Sequence, residues 1–209
     1  MFIRAAMPEH LITDLASLEA LFGPVAAPSI AKEADRLHPL YARWIEHARF
    51  ALLATSGPHG LDVSPRGDAG PLVRIVDANT LLLPERRGNN RIDSLRNLLA
   101  DPRVGLLFLI PGIGETMRVR GRAEICVTPD LLDSFAVDGK RPMCVVRVSV
   151  EKVFFQCARA ILRSGLWRDQ FDTANVPTPG AMLAALTAGG IDGPAYDSAL
   201  PARQRDTLY

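Results

Sequence analysis

The chain has 209 residues, of which 48% are apolar and 22% charged, and its formal net charge is +1. That balance suits a soluble globular protein of one domain, or one domain with an appendage, with a core large enough to need no covalent staples. It supplies no global field towards nucleic acid or a membrane surface, so any basic site must be local.

ITDLASLEALFG predicts a helix with Thr13 as N-cap, apolar Leu15, Leu18 and Leu21, and a stop at Gly23-Pro24. A second helical stretch is expected from roughly Ile30 to His47. FALLATS and LDVSP lean towards strand and are separated by GPHG, a hairpin signal. LVRIVD and TLLLPE pair in the same way across Ala78-Asn79. The next helix carries Ile92, Leu95, Leu98 and Leu99 on one face and ends at Asp101-Pro102. VGLLFLI is a buried strand, PGIGE a turn, and TMRVRGRAEICV a long alternating strand. VTPDLLDSFAV predicts a short helix capped by Thr128, and CVVRVSVEKVFFQCA a strand from Cys144 to about Phe155, leading into ARAILRSGLW. From Asn175 the chain is richer in Gly, Pro and Ala, with one short helix near Ala181–Leu186, and reads as a tail on the surface or on a partner. Helices that fail to alternate regularly with many short strands predict an α+β fold around a barrel of mostly antiparallel strands. The expected organisation is one domain over 1–209, with an N-terminal helical segment (1–47), a barrel core (48–156) and a C-terminal helical tail (157–209).

Cys126, Cys144 and Cys157 are odd in number, widely spaced and without a CxxC pair, which predicts reduced core thiols and no zinc site. His10, His38, His47 and His59 are scattered without metal-binding spacing. MFIRAAMPEHLITDL has charges and a proline where a leader would be apolar, and no run approaches the ~20 apolar residues of a membrane span. A cytoplasmic protein is the expectation.

Three constellations can carry chemistry. In PERRGNNRIDSLRNLLADPRV, Asn90 is placed to cap the helix and Arg91 to open it, with Arg86 and Arg87 just ahead. Unpaired backbone N–H groups, the helix dipole and a guanidinium together favour an anion. Solvated surface arginines are the plainer alternative. In LDVSPRGD, a strand that breaks at Pro65-Arg66-Gly67 offers free backbone groups, the Ser64 hydroxyl and another guanidinium; the alternative is an ordinary turn. In TMRVRGRAE, Thr116, Arg118, Arg120 and Arg122 share one strand face, which could bind phosphate, meet carboxylates across an interface, or sit in solvent. Aromatics total only 6%, against a nucleic-acid surface. PGIGE joins two strands and so lacks the helix that a dinucleotide fingerprint opens. No nucleophile elbow or carboxylate pair stands out, so chemistry here would fall to a bound organic cofactor.

DVSPRGD followed by PERRGNNRIDSLRNLLADPRVGLLFLIPGIGETMRVRGRAEI resembles the pyridoxamine 5′-phosphate oxidase-like flavoproteins, and within them a bacterial branch of flavin-nucleotide-binding proteins. ITDLASLEALFG and FFQCARAILRSGLW are similar to that branch's opening helix and closing strand and helix. The resemblance implies an FMN-binding split β-barrel that forms a homodimer with FMN in two clefts between subunits. It implies that Val63, Ser64, Pro65, Arg66 and Gly67 run beside the flavin ring and ribityl chain, and that Asn90 and Arg91 hold the phosphate. Thr116 falls where relatives often place a glutamine on the flavin, and Gln156, Arg159 and Trp167 would come from the second subunit. DVSPRG stands where true pyridoxamine phosphate oxidases have an RMVLLK-like strand, and their C-terminal arginine and histidine segment is missing. The cofactor therefore carries over and the vitamin B6 substrate does not. The implied activity is FMN-dependent oxidoreduction of a small molecule; a flavin-binding or storage protein without turnover is the alternative.

Overall fold

A computed structural model describes residues 11–168 and 173–209. The opening residues, including His10 and most of the stretch read as lacking a leader, lie outside them. The chain divides into two compact units, Met1–Glu33 and Ala34–Tyr209.

In the first unit, α1 (Leu15–Phe22) is capped by Asp14 and not by Thr13. The Asp14 carboxylate accepts from both the backbone N–H and the hydroxyl of Ser17, at 2.8 and 2.7 Å. Those bonds hold its pKa below the usual carboxylate value. Gly23, at φ 68°, ends the helix as expected. A short α2 (Ala27–Ala31) follows. The continuous helix expected from Ile30 to His47 is instead two, because the chain leaves helical geometry before Pro39 and restarts there as α3 (Pro39–Glu46).

The second unit is built on seven strands: β1 (Phe50–Gly57), β2 (Gly60–Gly67), β3 (Arg74–Asp77), β4 (Thr80–Glu85), β5 (Arg103–Leu109), β6 (Thr116–Cys126) and β7 (Cys144–Gln156). Their order is β2-β1-β5-β6-β7-β4-β3, with every pairing antiparallel. The sheet curls on itself, since Arg66 on its first strand bonds Glu85 on its sixth at 2.6 Å. Leu53, Leu81, Leu83, Leu106, Phe108, Val146 and Val148 fill the interior, joined by Ile45 of α3. β6 alternates as its sequence predicts: Met117, Val119, Gly121 and Ala123 are buried, Arg118, Arg120 and Arg122 exposed. Thr116 departs from that stripe and is only 9% exposed.

Between the strands lie α4 (Asp93–Ala100) and α5 (Pro129–Asp133), and after them α6 (Arg159–Ser164) and α7 (Pro179–Leu186). The tail holds a second, longer helix that the sequence reading missed, α8 (Gly193–Asp206), which carries Pro201 inside it. Thr128 does sit at the N-cap of α5, but its side chain makes no capping bond. Of the three thiols only Cys144 is in the core; Cys126 is half-buried and Cys157 exposed. Among the described residues no helix is long and apolar enough to cross a membrane, and no group of His, Cys, Asp or Glu could hold a metal ion.

α4 buries Ser94, Asn97 and Leu98, while Leu99, expected on its apolar face, is exposed. The inward polar groups dock it. Asn97 Nδ2 donates to Thr55 Oγ1 of β1 at 3.2 Å, and its amide lies against Gly57, where an added Cβ would sit 2.1 Å from Asn97 Oδ1. Glycine here permits the close approach of α4 to β1.

Candidate functional site

A cleft of about 800 Å³ opens where the curled sheet brings β2 towards the end of β4. Strand alternation puts Asp62, Ser64 and Arg66 on its wall and turns Val63, 62% exposed, to the opposite face. The opposite wall is Pro84, Glu85, the loop Arg86–Ile92 and the first turn of α4; Leu72, Met143 and Leu208 add apolar surface.

β2 does not break at Pro65-Arg66-Gly67 as expected. It pairs with β1 through to Phe50↔Gly67, and Pro65 is tolerated because β2 is an edge strand. Its contribution to the cleft is therefore side chains. Arg66 Nε bonds Glu85 Oε1 at 2.6 Å, and Nη1 donates to Ser64 Oγ and the Pro65 carbonyl, each at 2.9 Å. The positive charge expected from Arg66 is thus largely neutralised by Glu85. From Ser64 the chain of bonds continues to Ser94 Oγ (2.9 Å) and on to Asp62 Oδ2 (2.6 Å). Since Ser94 gives its one proton to Asp62, Ser64 gives its own to Ser94, and Ser64 faces the cleft as an acceptor.

The loop also differs from expectation. Asn90 does not cap α4, and Arg91 does not open it. Ile92 is the N-cap, without a side-chain bond, and Asp93 is the acid of the first turn. The reason lies one residue earlier: Asn89 Oδ1 accepts from the Arg91 N–H at 3.0 Å, turning the chain with Asn90 at φ 59°. Arg91, its side chain 77% exposed, pairs with Asp93 at 2.8 Å. Arg86 pairs with Asp68 at 2.9 Å. That leaves Arg87, for which no acid partner exists among the described residues. In sequence Arg87 is only one of the arginines ahead of the helix, and Asp62, Glu85, Ser94, Met143 and Leu208 are not among the expected site residues. The i, i+2 spacing of Asp62, Ser64 and Arg66 was the one signal available for any of them.

The remaining expected residues gather elsewhere. Thr116 and Gln156 are cross-strand partners, so whichever protomer supplies one supplies the other. Arg118 Nη2 donates to Gln156 Oε1 at 3.1 Å, Arg159 opens α6, and Trp167 Nε1 donates to the Ile113 carbonyl at 2.7 Å. None of these four lines the cleft formed by Ser64, Pro65, Arg66, Gly67, Asn90 and Arg91.

The donor set suits a phosphate ester. One guanidinium without an acid partner, a second on the surface, two asparagine amides and the N–H groups of a Gly-Asn-Asn turn share one end of the cleft, with apolar and hydroxyl surface beside them.

The family model described as Pyridoxamine 5′-phosphate oxidase matches residues 37–157. No curated protein matches the chain. Similar solved structures include HupZ of Group A Streptococcus (17% identity, 58% of this chain and 94% of that one, TM-score 0.47). A FAD-binding protein of Mesorhizobium loti is 20% identical over 59% of this chain and 96% of its own, with TM-score 0.41. An FMN-binding protein of Syntrophomonas wolfei is 12% identical over 67% and 95%, with TM-score 0.42.

Proposed function

Because the chain belongs to the pyridoxamine 5′-phosphate oxidase family, we propose that it is a flavoprotein that binds FMN in the cleft between β2 and the Arg86–Ile92 loop, as a homodimer, and exchanges electrons with a small molecule. The observation that carries this reading is the union, in one cleft of cofactor size, of the DVSPRG strand with a phosphate-type donor set. Bound there, the isoalloxazine would supply the hydride and electron transfer that no side chain of the cleft offers.

In this reading Arg87 and the amides of Gly88–Asn90 hold the phosphate, with Arg91 shared between it and Asp93. The β2 residues Ser64–Gly67 lie along the ring and ribityl chain, while Val63 faces away from the cleft. Ser64, its proton committed to Ser94, accepts from a ribityl hydroxyl or ring N–H. Thr116, Gln156, Arg159 and Trp167, gathered away from the cleft, complete it from the second subunit.

Titration of FMN against the protein, followed by flavin fluorescence and by sedimentation, tests the reading. Micromolar binding to a dimer is expected; a protein without flavin affinity refutes it. Reduction of the bound flavin by NADH or NADPH, reversed by oxygen, marks an oxidoreductase. A flavin that stays oxidised with every common donor marks a binding or storage protein.

A further inference from the structure

Tyr209 is far from the cleft in sequence and bound to it in space. Its hydroxyl donates to Asp68 Oδ1 at 2.9 Å and accepts from the Ala69 N–H at 3.2 Å. The other Asp68 oxygen takes Arg86 Nε and Nη2, both at 2.9 Å, and Arg86 Nη1 donates to the Phe135 carbonyl at 2.7 Å. The Arg86 guanidinium also stands 5.3 Å from the centre of the Tyr209 ring. Arg86 and Asp68 side chains are 14% and 7% exposed, so this pair is shielded in a way that the Arg91–Asp93 pair is not.

We propose that Tyr209, Asp68 and Arg86 form a latch by which the segment following α8 sets the conformation of the Arg86–Ile92 loop, making Tyr209 a positioning residue for the ligand's phosphate. Every nitrogen of Arg86 is committed within the protein, so Arg86 does not itself take the anion. Its fixed side chain instead fixes the backbone from which Arg87 and the Gly88–Asn90 amides project. Tyr209 matters because it touches both members of the ion pair: together with the Ala69 N–H it orients Asp68 Oδ1, and its ring covers the Arg86 guanidinium. Held in place, the loop meets a phosphate without first being ordered, and ordering is a cost that preorganisation removes. The inference rests on the proposed phosphate role of the loop, but the latch itself is measurable without any ligand.

The test compares wild type, Tyr209→Phe and the control Gln204→Ala, an exposed position of α8 that does not line the cleft. Amide hydrogen exchange of residues 86–92 is read without ligand; dissociation constants for FMN and for riboflavin, which lacks the phosphate, are read by fluorescence. Tyr209→Phe keeps the ring and loses two hydrogen bonds. It should speed exchange in the loop and weaken FMN by about 3- to 10-fold, the worth of one modest hydrogen bond, leaving riboflavin unchanged. Gln204→Ala should leave loop exchange as in wild type. Unchanged loop exchange in Tyr209→Phe, or equal weakening of FMN and riboflavin, overturns the proposal. If wild type binds no flavin, the functional reading fails and the exchange measurement still decides the latch.

Discussion

Arg66 Nε and Glu85 Oε1 lie 2.6 Å apart, joining the first strand of the sheet to the sixth and forming the floor of the cleft. The pair is mostly shielded, with side chains 17% and 12% exposed, so each group depends on the other for solvation. It also sets the electrostatics: a guanidinium that sequence alone places beside the ligand reaches it already neutralised.

Glu85→Gln should therefore cost about 1–3 kcal/mol of stability, the worth of a charge-assisted hydrogen bond. The same substitution removes a negative charge from the cleft wall and should tighten binding of a phosphate ligand. Urea unfolding and FMN titration on one variant check both signs. A variant that loses stability and affinity together would remove Glu85 from this role.

Arg87→Ala should weaken FMN binding by about 1.5–3 kcal/mol, because no carboxylate among the described residues competes for Arg87. Arg91→Ala should cost less, since Asp93 already holds that guanidinium at 2.8 Å in solvent. Isothermal titration of the two variants ranks them; the opposite order would restore Arg91 as the principal anchor.

Gly57→Ala should cost about 1–3 kcal/mol, as an added methyl meets Asn97 and loosens α4 from β1. Gly105→Ala, whose new carbon would meet nothing nearer than Ala54 Cβ at 3.7 Å, should be neutral or mildly stabilising. Denaturant melts of both variants supply the comparison.

Burial, chiefly, and the nearby charge of Glu85 push the Cys144 thiol up to about 11. The folded protein keeps this thiol neutral while the unfolded chain ionises it above roughly pH 8.5. Its contribution to stability is thus complete below that pH and is lost as pH rises towards about 11, at up to about 1.4 kcal/mol per pH unit. Urea melts between pH 8 and 10 should show a steeper decline in wild type than in Cys144→Ala. In the native state at pH 8, a thiol reagent should label exposed Cys157 and spare Cys144.

The strands and their pairing were legible because apolar alternation and turn residues are local: GPHG and Ala78-Asn79 mark two hairpins and TMRVRGRAEIC runs as a single alternating strand. What failed depended on longer reach. Asn90 had the chemistry of a cap, but the Asn89 side chain claimed the turn and moved the helix start to Asp93. Leu99 had the right spacing for the core, but Asn97 and Ser94 face inward to meet Thr55 and Ser64. α8 was hidden by Gly193, Pro194 and Pro201, residues whose low helix propensity packing against α7 overrides. Of the site, the two sequence segments were visible; the charge pairings that decide which arginine remains available were not.

The central claim is that the loop after β4 holds a phosphate whose flavin ring lies along β2. A crystal structure with FMN tests it most directly. Phosphate oxygens should lie within hydrogen-bond distance of Arg87 and the Gly88–Asn90 amides, with residues of a second subunit over the ring. A flavin seated elsewhere, or a phosphate that leaves this loop untouched, would contradict it.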